Sequence, residues 1–239
     1  MKKHIKQLLL FILLLHAFLS AHAKGISLSS TRVIVNASEP GAVVTVRNNS
    51  QSPWLIRARA QLHPDSSATA PFTVTPPLFR IEPDSNNTVR ILNMDPAGLP
   101  ADRESVFYLS FLAIPASDKL ADSATPAVAA RVTIGVESVI KLFYRPQKIE
   151  NKTASANDLK ADYKNNVITL QNVTPWYQTL SQLTLNGKHI PVRDTGAMLA
   201  PFSSKAFPVP EKITAPVNVS WSVINDLGVE SDTHKITAN

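Results

Sequence analysis

Apolar and polar residues alternate with a period of two along most of this 239-residue chain, the pattern of half-buried β-strands. The longest run is Val128–Tyr144. Val128, Ala130, Val132, Ile134 and Val136 are apolar, and Ala129, Arg131, Thr133 and Gly135 between them are small or polar. A basic and aromatic cluster, Lys141-Leu142-Phe143-Tyr144-Arg145, follows, and Pro146 ends the run. Ahead of it, Ile26–Val35, Ala42–Asn48, Trp54–Leu62, Phe72–Thr75, Thr88–Asn93 and Val106–Ile114 read as further strands. Pro115 to Pro126 is small, polar and bounded by proline, so it reads as a mobile loop leading into the long strand.

The second half repeats the pattern more weakly, in Val167–Asn172, Leu183–Ile190, Val217–Ile224 and a short run at the C-terminus. Asn186-Gly187, inside the second of these, favours a tight type I′ hairpin turn. Asn225-Asp226-Leu227-Gly228 reads as another turn. The chain is therefore all-β, with strands enough for two immunoglobulin-like β-sandwich domains of about 100 residues each. We place the boundaries at 24–145 and 146–239.

The first 23 residues stand apart. Lys2, Lys3 and Lys6 precede an unbroken apolar run from Leu8 to Leu15, and Ala21-His22-Ala23 offers the small-x-small pattern of a signal-peptidase site. The run is well short of the roughly 20 residues a membrane helix needs. We therefore expect residues 1–23 to be a signal peptide and the mature chain to be exported. The formal charge of +6 includes the three leader lysines, and the remaining basic residues form no dense tract. A nucleic-acid partner would need a clustered basic face, so none is expected.

There is no cysteine, which removes thiol catalysis, cysteine zinc sites and disulfides. His63, His189 and His234 are far apart and in no ligand spacing, so no metal is expected. No nucleophile elbow, zinc-protease helix or glycine-rich phosphate loop occurs. The chain reads as no enzyme. Asn-x-Ser/Thr triplets begin at Asn36, Asn48, Asn86, Asn151, Asn172 and Asn218; they are read as composition in an Asn-rich chain.

Five segments, in order, resemble the periplasmic pilus chaperones, the PapD-like family. They are Ser29-Ser30-Thr31-Arg32-Val33-Ile34, then Thr75-Pro76-Pro77-Leu78-Phe79-Arg80-Ile81-Glu82-Pro83, then Leu99 to Tyr108 with Ile114-Pro115. Lys141-Leu142-Phe143-Tyr144-Arg145-Pro146 is the fourth. Met198 to Ser203 and Ile224 to Gly228 together make the fifth. Two departures stand out: the long connection into the seventh strand lacks the cysteine pair usual in long-loop members, and Ser110 replaces a common asparagine.

The resemblance implies two sandwiches set at an angle and a site between them. It assigns Arg32 and Lys141 to the C-terminal carboxylate of a pilus subunit, and the chemistry suits a bidentate guanidinium beside a compact ammonium. It makes Ala130, Val132, Ile134 and Val136 the residues of a strand donated to an incomplete subunit fold. A core strand of the first domain alternates in the same way, so periodicity leaves that reading open. Glu104, Arg145 and Asp226 match an interdomain charge triad. Val136 and Lys141 have opposite parity: either a bulge near Ser138 intervenes, or the anchor is reached from the other side.

The expected function is a periplasmic chaperone that caps pilus subunits and delivers them to an outer-membrane usher without cofactor or ATP. When free, the donated strand is expected to be partly disordered or shielded by self-association through the loop from Pro115 to Pro126. The alternative is a fimbrial structural subunit or adhesin-like module, for which a single incomplete sandwich would be expected.

Overall fold

The computed structural model describes residues 25–94, 98–116, 133–150, 153–192, 196–209, 213–214 and 216–238. The first half folds as β1 (Ile26–Leu28), β2 (Arg32–Asn36), β3 (Gly41–Asn48), β4 (Trp54–Gln61), β5 (Phe72–Thr75), β6 (Leu78–Ile81), β7 (Ser85–Asn93), β8 (Ser105–Pro115) and β9 (Val136–Arg145). They form two sheets, ordered β1-β3-β7-β5 and β2-β9-β8-β4-β6. Inward residues of both sheets meet in one core: Val44, Val46, Val89 and Ile91 from the first, Ile56, Leu109, Phe111 and Leu142 from the second. Burying each large aliphatic side chain contributes about 1.5–3 kcal/mol.

The run Ile26–Val35 is broken into two strands in different sheets. Leu28 pairs with Val46, whereas Arg32 pairs with Lys141. Ser29 marks the crossing, because its N–H donates to the Thr45 carbonyl (2.9 Å) and its Oγ accepts from the Thr45 N–H (3.0 Å). Switching sheets lets one segment close both edges of the sandwich. It also brings β2 alongside β9 as a parallel neighbour.

The second half folds as β10 (Leu159–Lys164), β11 (Val167–Asn172), β12 (Gln178–Leu185), β13 (Lys188–His189), β14 (Met198–Leu199), β15 (Ser203–Pro208), β16 (Val217–Val223) and β17 (His234–Ala238). One sheet is ordered β10-β11-β15 and the other β13-β12-β16-β17, with β14 added to β12. Trp221 is fully buried in this second core, and its indole N–H donates to the Ala156 carbonyl (2.8 Å). Between β12 and β13, Asn186 (φ 48°) and Gly187 (φ 81°) both take positive φ, as a type I′ turn requires.

Four strands went unread in the sequence, among them the two-residue β14. β6 follows two prolines, β10 carries a charge at every second or third position, and β15 buries only Phe207 fully. Two of the Asn-x-Ser/Thr triplets turn out to be structural. Asn48 and Asn172 are both fully buried at strand ends. The Asn48 amide donates to the Ser52 and Glu82 carbonyls (2.8 and 2.9 Å), and the Asn172 amide to those of Trp176 and Ala200 (2.7 and 2.9 Å). Each side-chain oxygen accepts from the residue two places on, Ser50 or Thr174. These bonds satisfy turn backbone that would otherwise be buried unpaired.

Candidate functional site

The site lies where β2 and β9 meet the second domain. In a parallel ladder, paired residues share a face, so Arg32 opposite Lys141, Ile34 opposite Phe143 and Asn36 opposite Arg145 all face outward from the core. Arg32 Nη1 donates to the Ile224 carbonyl (3.0 Å), and its guanidinium stands 5.8 Å from the centre of the Phe143 ring. Arg32 Nε is buried without a partner. Lys141 Nζ donates to Thr179 Oγ1 (3.1 Å). Among the described residues, neither cation makes an ion pair. Burial, and then the neighbouring Arg32, lower the Lys141 ammonium from 10.5 to about 8. The place is thus positively charged, partly dehydrated and short of acceptors, which is what an incoming carboxylate needs.

One turn of strand further on, Arg145 lies between two carboxylates. Its Nε and Nη2 donate to Glu104 Oε1 (2.9 and 2.6 Å), and Nη1 donates to Asp226 Oδ2 (3.0 Å). Arg145 and Glu104 are each only 4% exposed. Glu104 stands just before β8, not within it. Its other oxygen accepts from the Tyr177 N–H (2.8 Å), and its own N–H donates to the Pro175 carbonyl (2.9 Å). Burial pushes the Glu104 carboxyl up, against the pull of Arg145. Asp226 belongs to the Asn225–Gly228 turn, which closes through Gly228 N–H to the Asn225 carbonyl (2.9 Å). One guanidinium therefore bridges β9, the entry to β8 and a turn of the second domain.

The long alternating strand divides at its middle. Leu142 and Tyr144 are core residues, and Ile140 packs against that core. Val136, on the same face, is 55% exposed, and Ile134 is 72% exposed. A row of side chains that begins in the core thus runs out beyond it. For Ile134 and Val136, a plain core-strand reading does not hold. Ala130 and Val132 lie outside the described residues, as does all but Pro115 and Ala116 of the expected loop. No bulge occurs near Ser138: the register with β8 is even from Val136 opposite Ala113 to Tyr144 opposite Ser105. Lys141 accordingly sits on the face opposite Val136, and the parity conflict disappears.

On the side away from β8, β2 covers β9 only from Lys141 to Arg145. Among the described residues, no strand pairs with that edge from Val136 to Ile140. The bare edge is in line with β2 and ends at Arg32 and Lys141. Sequence reasoning missed the second domain's share of this site, Thr179, Tyr177 and the Ile224 carbonyl. A lone threonine and a backbone oxygen leave no mark in a sequence.

Two family descriptions match the chain: "Pili and flagellar-assembly chaperone, PapD N-terminal domain" over residues 25–150, and "Pili assembly chaperone PapD, C-terminal domain" over residues 154–235. The chain is 36% identical over 222 residues to the probable fimbrial chaperone LpfB of Escherichia coli O157:H7, covering 92% of this chain and 90% of that one. It is 37% identical over 214 residues to the chaperone protein FimB/FhaD of Bordetella pertussis, covering 84% and 83%. The crystal structure of the E. coli chaperone DraB superposes with a TM-score of 0.75 at 32% identity, over 89% of this chain and 98% of that one. Salmonella enterica SafB, solved in complex with the SafA pilin, also superposes at 0.75, with 28% identity over 91% and 98%. The chain belongs to the PapD-like family of pilus-assembly chaperones.

Proposed function

We propose that this chain is a periplasmic chaperone that holds a pilus subunit by lending it the exposed end of β9, and passes it to an outer-membrane usher. The observation that carries the reading is the position of Arg32 and Lys141. Two cations that, among the described residues, have no carboxylate partner stand where the bare edge of β9 runs into the start of β2. A partner strand that fills this edge lies in line with β2. Its carboxylate reaches the cations only if it runs parallel to β9; an antiparallel strand would bring its amino end there instead. Backbone bonds along Val136–Ile140 supply affinity, and the exposed row through Ile134 and Val136 enters the subunit. Each aliphatic side chain so buried contributes about 1.5–3 kcal/mol before ordering costs.

Arg145, with Glu104 and Asp226, fixes how the two domains meet, and so fixes what the subunit docks against. Handover needs no ATP or cofactor, because the next subunit's strand can displace β9 by fitting better. A bare edge beside exposed Ile134, Val136 and Val139 is also a template for a second copy, so the free chaperone caps itself by association. The test is co-expression with a pilin and recovery of the complex. Arg32→Ala and Lys141→Ala should each leave the chaperone folded and lose the pilin, and normal recovery by both would refute the reading.

A further inference from the structure

The two cations are held from the second domain by a short closed circuit. Lys141 Nζ donates to Thr179 Oγ1 (3.1 Å), the Thr179 carbonyl accepts from the Ile224 N–H (2.8 Å), and the Ile224 carbonyl accepts from Arg32 Nη1 (3.0 Å). Arg32 stands opposite Lys141 in register, which closes the ring. Ile224 is two residues from Asp226, the carboxylate that meets Arg145. The anchor and the domain junction therefore share one segment of chain.

We propose that Thr179 is a positioning residue for carboxylate capture, through which the second domain sets the reach of Lys141. This rests on the reading of Arg32 and Lys141 as the carboxylate anchor, and it extends the anchor to the second domain. A lysine ammonium has three donors on a flexible four-carbon stem. One of them is fixed by Thr179, and two remain for an incoming carboxylate. No other described acceptor bonds to Nζ. Without the hydroxyl, a half-buried ammonium beside Arg32 has nothing to orient it, and it turns away toward water. Thr179 is itself nearly buried, held by β12 and by the Ile224 N–H, so the hydroxyl is a fixed point.

The test uses the full mature chain and a synthetic alternating Val-Thr strand peptide, once with a free C-terminal carboxylate and once amidated. Wild type binds the acid more tightly than the amide. In Thr179→Val, which keeps the side-chain shape, this preference falls about tenfold, the weight of one charge-assisted hydrogen bond. Thr179→Ser keeps it. A Thr179→Val variant with the wild-type preference overturns the inference and leaves the anchor reading standing. A wild type with no acid preference overturns both. A second measurement needs no peptide: with the ammonium turned out to water, the Lys141 titration followed by NMR should move up from about 8 toward its ordinary value in Thr179→Val and stay in place in Thr179→Ser. An unchanged titration in the valine variant overturns the inference even if that variant is less stable.

Discussion

Gly228 lies against Thr31 across the domain boundary, so closely that a Cβ on residue 228 would stand 2.4 Å from Thr31 Oγ1. The glycine also has φ +79°, in the left-handed region where other residues are strained. Gly228→Ala should therefore cost about 1–3 kcal/mol, from strain and from the clash together. Thr31→Ala removes the clashing hydroxyl, so the double variant should recover part of the loss. Urea melts of both single variants and the double variant measure this coupling. Strict additivity would show that the contact is not what makes alanine costly.

Lys141 should trade stability for capture. Its folded value of about 8 lies below the ordinary 10.5, so folding favours loss of its proton. That cost is present in full below about pH 8 and is relieved as the pH rises toward the unfolded value. Arg32 is the charged neighbour that lowers it; Glu104, Asp226 and Arg145 are occupied with one another. Burial holds Tyr108 and Tyr177 above their ordinary values. Lys141→Met should melt no lower than wild type at about pH 7, with any advantage shrinking as the pH rises past about 8. It should bind no pilin. A variant that is clearly less stable at neutral pH would mean the ammonium helps to hold the free fold together.

Arg145→Met should do the reverse. It leaves Glu104 buried with only the Tyr177 N–H, and stranding a buried charge costs about 3–5 kcal/mol. The Glu104 carboxyl is already pushed up by burial, and further without its guanidinium. A carboxyl raised in the folded state keeps its contribution below the unfolded value and loses it as the pH rises through the folded one. The deficit of the variant should therefore shrink as the pH falls from neutral. Denaturation at several pH values reads this out, and a deficit that does not change with pH would place the cost elsewhere.

Ile134→Lys should leave the chaperone's stability within about 0.5 kcal/mol of wild type, as for other exposed positions. It should abolish pilin capture, because it puts a charge where the partner's core is to be. Thermal melts beside pull-downs separate the two effects. A destabilised protein would mean that Ile134 is held by the chaperone itself.

The strands that alternate cleanly were legible: β3, β4, β8 and β11 lie within two residues of where their apolar residues place them. The edge strands β6, β10 and β15 and the two-residue β14 were not, since a strand that is very short, or at an edge with few buried residues, carries little periodic signal. Nor was the break after Leu28, because apolar alternation does not say which sheet a residue joins. At the site, Arg145, Glu104 and Asp226 are far apart along the chain, and only their family motifs linked them. Thr179 had no such motif. Its role depends on β12 facing β9 across the boundary, a relation that arises only in three dimensions.

Because β2 covers β9 only from Lys141 onward, a site that holds a partner's carboxylate at Arg32 and Lys141, as we propose, would count that partner's residues from its last one. A strand shortened by a single residue, with its carboxylate still seated, would be displaced by one place along β9. Every side chain would then exchange faces, polar for apolar. On that reading the groove would accept a chain only when its synthesis has finished and its end has not been trimmed. It would work as an inspection gauge for completed subunits, built from one strand that begins late and two cations at its tip.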